Sequence, residues 1–141
     1  FNLKKELIPV ILKDTTPKDE SKKHLERYCY GLTHLIIGDT NFYQLKPDKS
    51  YQWVLGKITE YLPKIENLDL VLEMLLTTKL LGKPAYKADS LHKIISSKFN
   101  PERKYLTMKE TSSVEIAEHY NALALLLIKN WDFPKGNRNS Y

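Results

Sequence analysis

Apolar residues recur along this chain at steps of three and four, with polar punctuation between the runs. Leu3, Leu7, Ile8 and Ile11 form a first stripe that ends near Asp14. A second helix is expected after Thr16, with Pro17 at its first position and Asp19 and Glu20 where the helix dipole favours negative charge. Its inward face is Leu25, Tyr28, Cys29, Leu32, Leu35 and Ile36, and Gly38 is the expected stop. Residues 39 to 46 read as a loop. Pro47 and Asp48 open a third helix with Tyr51, Val54, Leu55, Ile58, Tyr61 and Leu62 inward, until Pro63 interrupts or kinks it.

From about Lys64 to Leu81 the apolar positions (Leu68, Leu70, Val71, Leu72, Met74, Leu75, Leu76) cover nearly the whole circumference of a helix. Only a helix surrounded by neighbours tolerates that, so this one is expected at the centre. A fifth helix fits Ala88 to Lys98, with Leu91, Ile94 and Ile95 inward, and Asn100 and Pro101 begin an irregular basic stretch. Ser112 and Glu115 make a capping box for the last helix, whose inward positions are Val114, Ala117, Tyr120, Ala124, Leu127, Ile128 and Trp131. Pro134 and Gly136 close it. The run "HLIIGD" is a short-strand alternative, but no alternating strand pair and no fixed repeat competes. The expectation is an all-α fold: about six mostly antiparallel helices in a bundle or short stack, one domain over 1–134, and a flexible tail at 135–141.

Composition narrows the class. With 141 residues, 42% hydrophobic and 28% charged, the chain can bury a core without staples and matches an ordinary globular domain. No apolar run approaches the length needed to cross a bilayer. The sequence begins at Phe1 with no signal-peptide pattern behind it, and so reads as a piece of a longer protein. A single cysteine, Cys29, fits a reducing cytosolic or nuclear compartment.

Charge changes the picture more. Between Lys79 and Lys109 stand Lys79, Lys83, Lys87, Lys93, Lys98, Arg103, Lys104 and Lys109 against Asp89 and Glu102, a net +6 in a chain whose total is +5. Such segregation predicts a one-signed surface able to attract acidic peptides or phosphates. Tyr86, Phe99 and Tyr105 lie among these lysines, where aromatics can grip an apolar side chain or stack on a base; Phe99 and Tyr105 can equally pin a long loop onto the helices.

Catalytic chemistry is not indicated. No phosphate-cradling glycine loop is present, and Gly82-Lys83 alone does not make one. The four histidines (His24, His34, His92, His119) are scattered along the sequence. Glu115 and His119 share a helical face near Glu118, but no second helix repeats the motif, so no metal site and no cofactor is expected. Cys29 lies on an apolar stripe and reads as core, and no nucleophile elbow appears. Tyr28, Tyr51, Tyr61 and Tyr120 fall on inward faces, where each hydroxyl should find a partner.

Three stretches, "LEMLLTTKLLGK", "LHKII" and "EIAEHYNALALLLIKNW", resemble the helical domain at the N-terminus of transcription elongation factor TFIIS, which elongin A and LEDGF share. Thr78, Lys79, Leu80, Gly82 and Lys83 match that family's leucine-rich helix ending, with an extra leucine before the glycine. Lys129, Asn130 and Trp131 match its last helix, which Ile116 and Ala117 open. The resemblance spans roughly Lys57 to Pro134 and leaves residues 1–56 as a helical extension. Pro84 and the long segment 99–111 depart from the pattern. The resemblance implies a nuclear, non-catalytic module of a transcription or chromatin protein, one that binds short segments in which acids flank apolar anchors.

The reading that follows is a protein-interaction domain whose basic rim, Lys79, Lys83, Tyr86, Lys87, Lys93, Lys98 and Phe99, receives an acidic, partly apolar peptide. Its rivals are nucleic-acid binding through residues 79–109 and a helical scaffold or oligomerisation domain. No membrane partner is expected.

Overall fold

A computed structural model of the protein describes residues 10, 17, 21–84, 88–102, 105–106 and 114–128, and of 88, 89, 105 and 114–116 the backbone alone. It is mostly helical, with five bounded α-helices among the described residues where six were expected. The stripe at residues 3 to 14 lies almost wholly outside them, as do Asp19, Glu20, Ser112, Trp131, Pro134 and Gly136.

Helix α1 spans Lys22–Asp39 and so begins later than Pro17, which is not helical. It also runs through Gly38, which does not stop it, and "HLIIGD" is helical rather than strand. The stop is Thr40, fully buried, whose hydroxyl donates to the carbonyls of Ile36 (2.8 Å) and Ile37 (3.1 Å). Beyond it Asn41, Phe42 and Tyr43 all take left-handed backbone, with φ of 48°, 53° and 70°. Each such non-glycine residue costs roughly 1–2 kcal/mol. The turn is held by the amides of Gln44 and Leu45, both donating to Thr40 O (2.9 and 2.8 Å), and by that of Phe42, donating to Ile37 O (2.9 Å).

Asp48 accepts from the Ser50 amide and opens a 3-10 turn, Lys49–Tyr51, that leads into α2, Gln52–Tyr61. Pro63 falls in a second 3-10 turn, Leu62–Lys64, and Ile65 is extended. Helix α3 is Leu68–Leu80, not Lys64 to Leu81. Its start is set by Asn67, whose Oδ1 accepts from the amides of Asp69 (3.1 Å) and Leu70 (3.5 Å), satisfying donors that a helix end otherwise strands.

At the other end Gly82 terminates α3. Its φ is 80°, its amide donates to Lys79 O, and the Lys83 amide reaches back to Thr78 O, both at 3.0 Å. That is the six-to-one and five-to-two pattern of a left-handed helix cap. A Cβ on Gly82 would meet nothing within 4 Å, so the penalty of a side chain is conformational alone. Gly82→Ala should therefore destabilise by about 1 kcal/mol and lower the thermal midpoint by roughly 3 °C, read by circular dichroism.

Helix α4, Ala88–Lys98, has the expected bounds. The irregular basic stretch contains a short antiparallel pair, β1 (Phe99–Asn100) and β2 (Tyr105–Leu106), with Phe99 opposite Leu106. Asn121 ties it to α5, Val114–Ile128: its Oδ1 accepts from the Leu106 amide (3.2 Å) while its Nδ2 donates to Ala117 O (2.6 Å).

Helix α3 packs against α1, α2 and α5, the central place its composition demands, and every residue in it except Asp69, Val71 and Lys79 is buried. One hydrophobic core joins residues of all five helices and Leu106. Tyr28, Tyr51, Tyr61 and Tyr120 are buried in it, and Tyr28 meets Tyr61 edge to face with centroids 5.8 Å apart. The Tyr28 hydroxyl finds no partner among the described residues, against expectation, and burial pushes its pKa up to about 12. Ile128, expected inward, is 58% exposed. No helix among the described residues is long and apolar enough to cross a membrane.

Candidate functional site

The basic rim divides. Lys79, at the last turn of α3, sends its Nζ to the carbonyls of Leu126 (2.9 Å) and Leu127 (3.4 Å) of α5. Burial holds the Lys79 pKa below its ordinary value. It joins two helices rather than facing a partner. Lys83, Lys93 and Lys98 are exposed, Phe99 on β1 is 47% exposed, and Tyr86 and Lys87 lie outside the described residues.

Lys98 stands at a cleft of about 800 Å³ between α3 and α4. Leu62, Ile65, Leu68, Val71, Leu75, Pro84 and Ile94 give it an apolar lining, and Glu66, Ser90, Ser97 and Lys98 supply polar groups. The helical spacing of Ser90, Ile94, Ser97 and Lys98 puts one face of α4 along the cleft. Glu66 is engaged by Lys22 at 2.6 Å. Lys83 directly precedes Pro84 of the lining; Lys93 and Phe99 do not line it. The cleft was not legible from the charge pattern: Ile94, read from the sequence as an inward position, lines it.

A second site gathers polar groups that lie far apart in sequence. Asp69 and Glu73, one turn apart on α3, leave that helix about 200° round from Val71 and Leu75 of the cleft. His119 of α5 places Nε2 at 3.0 Å from Asp69 Oδ1 and 3.7 Å from Glu73 Oε1. His34 of α1 places its Nε2 at 3.7 Å from the same Glu73 oxygen. Glu73 is 4% exposed, whereas the histidines are 61% (His34) and 52% (His119) open. The Thr33 hydroxyl donates to Glu73 Oε2 at 2.7 Å, and the Tyr30 hydroxyl to Asp69 Oδ2 at 2.8 Å. Although His119 is close to Asp69 Oδ1, it is off the line of a hydrogen bond, so that buried oxygen receives no aligned donor.

Three tyrosines feel these carboxylates. Burial first, then the bond to Asp69, pushes the Tyr30 phenol far above its ordinary range. Burial followed by the charges of Glu73 and Asp69 does the same to Tyr43, which the left-handed turn after Thr40 carries. Tyr120 is raised by burial and by Asp69. Backbone strain of the kind at 41–43 persists where the surroundings over-determine it, often beside functional groups.

The sequence left the histidines scattered, and two of them are in fact together. The expected pairing of Glu115 with His119 falls on a side chain outside the described residues; His119 itself meets Asp69 and Glu73 of α3, and Glu118 is exposed. One signal was available. Glu73 is the single acid inside "LVLEMLL", a stretch apolar all round, and a carboxylate placed there must be buried and partnered. Cys29 is fully buried, and burial pushes its thiol up to about 12, so it is no nucleophile at neutral pH. No family model, curated protein or solved structure matches the chain.

Proposed function

We propose that the protein is a non-catalytic interaction domain, a helical bundle or short stack that receives an acidic, partly apolar peptide in the cleft between α3 and α4. The observation that carries this is the pairing of an apolar lining with a lysine at the same opening: Leu62, Val71, Leu75 and Ile94 offer seats for one or two large side chains, and Lys98 stands beside them. Grooves of this kind take an apolar anchor for affinity, and flanking charge for register and rate. The basic site is accordingly narrower than the rim expected from sequence, centred on Lys98 with Lys83 and Lys93 as outlying charges. Membership of a nuclear transcription or chromatin protein rests on the resemblance of the three quoted stretches alone.

Selection from a peptide-display library tests it. Enriched peptides should carry Leu, Ile or Phe beside Asp or Glu, and their affinity should fall about tenfold with Lys98→Glu, an exposed position that leaves the core untouched. Enrichment of peptides without acids, or indifference to Lys98→Glu, would remove the lysine from the site. Tight binding of generic duplex DNA with a steep dependence on salt would replace the peptide reading with a nucleic-acid one.

A further inference from the structure

We propose that Asp69, Glu73 and His119 bind a single divalent transition-metal ion of the zinc class, on the face of α3 away from the cleft, with His34 at the edge of the site. One donor atom each from Asp69, Glu73 and His119 lies within 4.8 Å of the others, and His34 adjoins them through its 3.7 Å approach to Glu73 Oε1. A tetrahedral ion with bonds of about 2.0–2.1 Å sets neighbouring ligand atoms roughly 3.4 Å apart. The separations of 3.0 and 3.7 Å from His119 Nε2 to the two carboxylates bracket that value, so small side-chain shifts bring three protein donors onto one ion, with water in the fourth position.

The hydrogen bonding favours an ion over a self-contained polar network. Each carboxylate has one oxygen fixed from behind, Asp69 Oδ2 by Tyr30 and Glu73 Oε2 by Thr33. The other two oxygens point at imidazole nitrogens: Asp69 Oδ1 is buried with no aligned donor, and Glu73 Oε1 stands beyond hydrogen-bond distance from both rings. Outer bonds that orient a carboxylate and leave its second oxygen free are what metal ligands characteristically have. Charge points the same way. Two carboxylates a turn apart repel, one of them is almost wholly out of water, and no Lys or Arg among the described residues forms an ion pair with either. A dication supplies the missing positive charge without a further side chain. Nitrogen and oxygen donors together suit zinc or cobalt rather than calcium or magnesium, which take oxygen alone. The half-open histidines give the ion a path from solvent.

The test is titration of the untagged full chain with Zn2+ against a chromogenic chelator, with the visible spectrum of Co2+ as a reading of coordination. One equivalent should bind, and Co2+ should give the intense bands of a low-coordinate N/O site. His119→Ala and Asp69→Asn should each weaken binding at least about 100-fold, since ligand loss exceeds the effect of losing an outer bond. His92→Ala, which removes an exposed imidazole of α4, should change nothing. His119 is half exposed, so its removal spares the core, and far-ultraviolet circular dichroism checks the fold. Binding that survives His119→Ala, or is lost with His92→Ala, or never reaches one defined equivalent, would overturn the proposal.

Discussion

Leu76→Ala should lower the unfolding free energy by about 2–5 kcal/mol and the thermal midpoint by on the order of 10 °C. Leu76 is fully buried on α3, the helix that α1, α2 and α5 all contact. Truncation removes its transfer free energy and leaves a cavity that three surrounding helices cannot all move to fill. Val71→Ala on the same helix is the control, because Val71 is only partly buried and lines the open cleft, where solvent replaces the missing methyls. Its effect should be well below that of Leu76→Ala in urea denaturation followed by circular dichroism. Equal effects at the two positions would mean that the cleft is closed in solution.

Thr33→Val is nearly isosteric, yet it should destabilise by about 1.5–3 kcal/mol, because the lost hydroxyl is the donor to a buried carboxylate. The Thr33 hydroxyl has the Tyr30 carbonyl within reach at 3.1 Å, but the shorter contact to the charged Glu73 is the stronger one. Replacing both partners gives the sharper result. The double variant Thr33→Val with Glu73→Leu should recover most of the loss, since a buried charge and its donor can give way to apolar groups of similar size at little net expense. A double variant as unstable as the sum of the singles, in a complete double-mutant cycle, would contradict this account of the pair.

The helices were legible where one local rule decided them. Ala88 to Lys98 was read to the residue, and Gly82 stopped α3 because only glycine takes φ of 80° freely. The bounds that shifted were set by side chains that no periodicity reports. Asn67 moved the start of α3 by capping it, and the Thr40 hydroxyl, not Gly38, ended α1. The three left-handed residues after Thr40 carry no glycine to announce them. The two-residue strands are too short for an alternation to register. For the sites the difference is one of range. Lysines counted along the chain gave the right sign of charge on α4 but could not show that Lys79 is occupied by α5. His34, Asp69, Glu73 and His119 come from three helices, and only tertiary packing makes neighbours of residues separated by 39 to 50 positions.

Lys79 carries a kinetic consequence. The carbonyls that hold its ammonium leave the net charge in place but tie the group to α5, so in the proposed complex direct contact with an anionic ligand falls to exposed lysines such as Lys83, Lys93 and Lys98. If the proposed complex forms, its association rate should slow as ionic strength rises, and the apolar seats between α3 and α4 would set how long the bound segment stays.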